Sequence, residues 1–113
     1  MGEVKTETVD TLRGLSVGEP SVVEGLTGVL LENLEDSGLD RRSHGLVRLA
    51  SLIALDAPPA AYLGQVAFAR DAGITAEEIL GVLVAVGPLV GMPKVVAAAP
   101  ELMLALGLPV AES

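Results

Sequence analysis

The stretch Asp71-Ala72-Gly73-Ile74-Thr75-Ala76-Glu77-Glu78 constrains this chain more than any other. Glycine can take the left-handed conformation that ends a helix at C′. Thr75 can then cap a new helix, and Glu78, three residues on, can bond back to the Thr75 N–H. That is a capping box, and it places two helices end to end with a tight turn between them. From Leu39 to Ala99, three apolar segments at helical spacing follow one another, separated by short breaks.

The other boundaries follow in chain order. Residues 1–18 are polar, with Val4, Val9, Leu12 and Leu15 spaced for a short helix from about Thr6 to Leu15. Pro20 suits a first helical position, and Val22, Val23, Leu26, Val29, Leu30 and Leu34 then recur at helical spacing up to Gly38. Asp40 is a good N-cap for a third helix, with Leu46, Leu49, Leu52 and Ile53 as its apolar stripe. Asp56-Ala57-Pro58-Pro59 stops it near Leu55, because a proline pair can open a helix but not continue one. A fourth helix is expected from Ala60 to Ala72, burying Tyr62, Leu63, Val66, Phe68 and Ala69. A fifth runs from Ala76 to about Val86, broken by Gly87-Pro88, and a last one from about Pro93 to Leu106. No run alternates at period two, so the expected class is all-α, a bundle of about six helices in a single domain, 1–113, with 39–99 as its helical core.

Composition narrows the function. The chain has 113 residues, half of them apolar, with Tyr62 and Phe68 its aromatic residues, and its mean hydropathy is +0.58. Ile79, Leu80, Val82, Leu83, Val84 and Val86 cover more than one side of the fifth helix, which a small monomer has few helices to cover. A homo-oligomer is expected. The net charge of −8 argues against nucleic acid, since phosphate binding needs a clustered basic face. The basic cluster present is Arg41, Arg42 and Arg48, with His44 among them, and solvated surface arginines are its simplest reading. The absence of cysteine excludes disulfides and thiol redox chemistry. One histidine and no paired acids at ligand spacing give no metal site, and no cofactor is expected. The uncharged run Ile79–Pro93 is too short to span a membrane. The acidic N-terminus has no apolar leader core, so a cytoplasmic location is expected.

Leu39-Asp40 with Leu46, Leu49 and Ala50, then Asp71 to Ile79, then Gly91-Met92-Pro93, resemble in order and spacing the carboxymuconolactone decarboxylase family, which includes the alkylhydroperoxidase-D-like proteins. The resemblance covers about Leu39–Ala99. It implies an all-α bundle, a trimer or a hexamer of the same chain, and either peroxidase or cofactor-free lactone decarboxylase chemistry. Peroxidase members of that family carry Cys-x-x-Cys followed by a histidine. Those places fall here on Pro58, Ala61 and Gln65. The family's proton-relay glutamate falls near Gly45 or Leu46. A thiol peroxidase is therefore excluded.

For acid–base work a group with a pKa near the working pH is needed. His44 and Arg48 are the catalytic candidates, although a histidine in a first helical turn reads first as a surface residue. Tyr62, Gln65 and Asp56 are the ligand-binding candidates. Arg48 can pair the carboxylate of a small, partly apolar ligand. Three readings stand: a family member binding such a molecule, with or without acid–base chemistry; a non-catalytic oligomeric binding or scaffold module; and an unrelated helical interaction domain.

Overall fold

The computed structural model describes residues 2–20 and 30–110. Among these it has six helices and no strand: α1 Thr6–Ser16, α2 Leu30–Ser37, α3 Arg41–Leu55, α4 Pro59–Asp71, α5 Ala76–Val90 and α6 Met92–Ala105. The chain divides into two compact units, Met1–Leu39 and Asp40–Ser113. In the first, α1 buries none of its residues. The expected apolar stripe through Val22, Val23, Leu26 and Val29 lies outside the described residues.

The second unit holds the core. Asp40 caps α3, its carboxylate accepting the Ser43 N–H at 2.6 Å. From there α3 packs on α4 and α5, α4 and α5 both pack on α6, and α3 touches α6 more lightly. Leu49 and Ile53 point in from α3, Tyr62, Val66 and Ala69 from α4, Ile79, Val82 and Leu83 from α5, and Ala98 and Leu102 from α6. Ile74 fills the turn between α4 and α5. Leu63 is exposed, contrary to expectation, because the inward face of α4 runs through 62, 66 and 69 and position 63 lies a quarter-turn away.

The α4–α5 turn forms as its sequence requires. Gly73 has φ +84°, Thr75 Oγ1 accepts the Glu78 N–H at 3.1 Å, and Glu78 Oε1 accepts the Thr75 N–H at 3.0 Å. Glu78 also pairs with Arg42, whose guanidinium further donates to the Gly73 carbonyl at 3.4 Å. The turn is thus held to the start of α3.

Two boundaries differ from the sequence reading. Gly87-Pro88 does not break α5, which continues to Val90. Proline near a helix end removes one bond, here to the Val84 carbonyl, and Val84 is 69% exposed, so water can replace it. The stop falls instead at Gly91, with φ +92°, and Met92-Pro93 opens α6. The helix α6 likewise runs through Pro100.

Removing the cap should cost α5 measurable stability. Thr75→Ala is expected to destabilise by about 1 kcal/mol. Glu78→Gln keeps an acceptor for Thr75 but loses the charge pair with Arg42, so it should cost less than about 1 kcal/mol. Urea midpoints of the two variants check the order.

Candidate functional site

The helix α3 carries three arginines and a histidine but no acidic residue. Arg41, His44 and Arg48 recur at three- and four-residue spacing, which puts them on one face. On α4, Gln65 and Phe68 share a face for the same reason. The packing of α3 on α4 brings the two rows together. Arg48 Nε donates to Gln65 Oε1 at 3.1 Å. The His44 ring meets the Phe68 ring edge-on, centroids 6.0 Å apart and planes at 64°. The Arg41 guanidinium lies 5.2 Å from the Phe68 centroid, a cation–π contact.

His44 is 2% exposed, so the surface reading of this residue does not hold. Although it lies in the first turn of α3, that turn faces α4 rather than solvent. Burial, and secondarily the nearby Arg48 charge, holds its pKa below the ordinary imidazole value of 6.5. At neutral pH it is an uncharged imidazole with a guanidinium close by.

The other candidates are placed differently. Tyr62 is 1% exposed, and its hydroxyl donates to the Leu52 carbonyl at 3.1 Å. Burial pushes its phenol pKa up, and the Asp56 and Glu101 carboxylates add to that. Asp56 ends α3 in the left-handed conformation, φ 55°, and is exposed. Pro58 precedes α4 as its N-cap, and Ala61 is half-buried. His44, Arg48 and Gln65 therefore converge, while Tyr62 and Asp56 mark the α3–α4 corner.

Sequence reading did not single out Phe68 and Arg41 for this cluster. The i, i+3, i+7 row Arg41–His44–Arg48 was the available signal. Among the described residues no group of three or more His, Cys, Asp or Glu is placed to hold a metal. No helix of the described residues is long and apolar enough to cross a membrane.

Three apolar grooves lie away from the cluster. One of about 520 Å³ runs between α3 and α5, over Leu46, Ala50, Gly81 and Ala85. Two more, of about 370 and 530 Å³, run along α5 and α6 and share Leu80, Leu83 and Ala99.

The model of the carboxymuconolactone decarboxylase family matches residues 20–102. The chain belongs to this family. No curated protein and no solved structure gives a match. The places of the family's redox residues, Pro58, Ala61 and Gln65, follow one another along the start of α4. A relay glutamate could not stand at Gly45, where a Cβ would already meet Ile74 Cδ1 at 2.9 Å. Leu46 lines the α3–α5 groove instead. The titratable group beside those positions that faces α4 is His44.

His44 should make stability depend on pH. Its folded pKa is depressed, so on acidification the unfolded chain takes up the proton first. The stabilising effect is complete above about pH 6.5 and declines as pH falls towards the folded value. The wild-type urea midpoint is expected to drop between about pH 7.5 and about pH 5.5. As His44 is the sole histidine, the drop should be absent in His44→Gln.

Proposed function

We propose that this member of the family is not a peroxidase and that it holds a small, partly apolar molecule at the α3–α4 cluster, where His44 moves a proton without a cofactor. The observation that supports this is the convergence of His44, Arg48 and Gln65, joined by the 3.1 Å Arg48–Gln65 hydrogen bond. An imidazole kept neutral at pH 7 can accept a proton from the ligand. A guanidinium nearby offsets the negative charge that develops when it does. Gln65 cannot transfer protons and serves to orient. Neither role needs a thiol, in keeping with a chain that has no cysteine.

A second reading, a non-catalytic oligomeric binding module, is favoured by a separate observation. Leu80, Val84, Leu89, Met92 and Val96, on α5 and α6, are each 59–87% exposed. Ile79, Val82 and Leu83, three of the six residues expected at a subunit contact, are buried within the chain instead. The face available for self-association is therefore the outer side of α5 with the start of α6. Covering one such side chain contributes about 1–2 kcal/mol at these exposures. A contact between two such faces covers ten, or about 10–20 kcal/mol against an association cost of about 4–15.

Two experiments separate the readings. In deuterated buffer with small lactones and oxo acids that bear a carboxylate, the wild type is expected to catalyse hydrogen exchange next to the carbonyl. His44→Gln should slow this about 100-fold or more. Absence of exchange across that set sinks the catalytic reading and leaves the binding module. Light scattering at micromolar concentration is expected to give a trimer or a hexamer. A species near 11.5 kDa would refute the oligomer.

A further inference from the structure

Arginine has hydrogen-bond donors and no acceptor. The bond from Arg48 Nε therefore fixes the Gln65 amide, with Oε1 towards Arg48 and Nε2 turned away. Nε2 carries two donors. Gln65 is 8% exposed, and this nitrogen is buried with no hydrogen-bond partner. A buried donor without an acceptor forfeits the bonds it made to water in the unfolded chain, and folded proteins keep few of them. Nothing about α4 itself requires one here, since Leu or Met has similar volume and as good a helix propensity.

The surroundings narrow what could satisfy it. Arg41 and Arg48 stand on the facing row of α3, and a neutral His44 lies between them along the helix. A cationic ligand would be repelled. One turn on from Gln65, Phe68 offers an aromatic ring. We propose that Gln65 Nε2 is the ligand-reading group of the cluster. It donates to an sp² oxygen, a carboxylate or a lactone or ketone carbonyl, on a small molecule whose apolar part lies towards Phe68. This rests on the reading of the cluster as a ligand site, and adds the residue that selects the ligand and the atom it selects.

The test is a titration of uniformly ¹⁵N-labelled protein followed by NMR. The Gln65 side-chain NH₂ signals are assigned by their loss in Gln65→Glu, which keeps an acceptor for Arg48 and has no N–H. Gln65→Met serves if that variant does not fold. The probes are butyrate, γ-butyrolactone and n-butylammonium. The Gln65 signals are expected to shift saturably with butyrate or the lactone and not with the ammonium ion. Affinity should fall about tenfold or more in the variant. A shift with butyrate alone assigns a carboxylate, and a shift with the lactone assigns a neutral carbonyl. If the isolated His44 ring signal moves while Gln65 stays still, the proposal fails and the cluster remains a ligand site. If neither moves with any probe, both fail. A resident water that contacts the Gln65 amide protons throughout the titration also overturns the proposal.

Discussion

The close approach of α3 to α4 at Gly45 sets the arrangement of the second unit. A Cβ there would lie 2.9 Å from Ile74 Cδ1 and 3.8 Å from the Ala69 backbone. With position 45 turned inward, helical geometry deals out the rest of α3. Leu49 and Ile53 continue into the core, Leu46 and Ala50 line the groove against α5, and His44 and Arg48 come to α4. The same contact that closes the core leaves no room for the family's relay glutamate at that position. The neighbouring residue on the α4 side is the one left to titrate.

Charge on this unit is arranged around the same helix. The first turn of α3 holds two arginines where the helix dipole disfavours cations. Each has found a different compensation. Arg42 pairs with Glu78 of the capping box, and Arg41 lies over the Phe68 ring. Asp40, at the same helix end, accepts the Ser43 N–H, and that bond holds its carboxyl below the usual range. A cluster that reads from sequence as solvated charge is in this way built into the α3–α4–α5 junction.

Much of this was legible in the sequence because it is local. The capping box needs residues three apart, the Asp40 cap likewise, and the apolar stripes need helical spacing alone. The class and most helix ends follow from them. The extent of α5 was not legible, since whether Pro88 ends a helix depends on whether the orphaned Val84 carbonyl can reach water. The site was legible only in part. Gln65 could be placed through the family's spacing, but the burial of His44 depends on which side of α3 meets α4. That is decided by Gly45 and Ile74, 29 residues apart in the chain. The difference between Ile79 as core and Leu80 as surface is likewise settled by the position of α6.

The α3–α4 corner also supplies the chain with its own optical probe. Tyr62 is the only tyrosine and there is no tryptophan. Its hydroxyl shares the Leu52 carbonyl with the Ala57 N–H. Near-ultraviolet absorbance therefore comes mainly from one ring at one junction. Because burial and two carboxylates oppose its ionisation, phenolate can form only as that junction opens. The alkaline spectrum thus follows the opening of the α3–α4 corner, in the unlabelled wild-type chain.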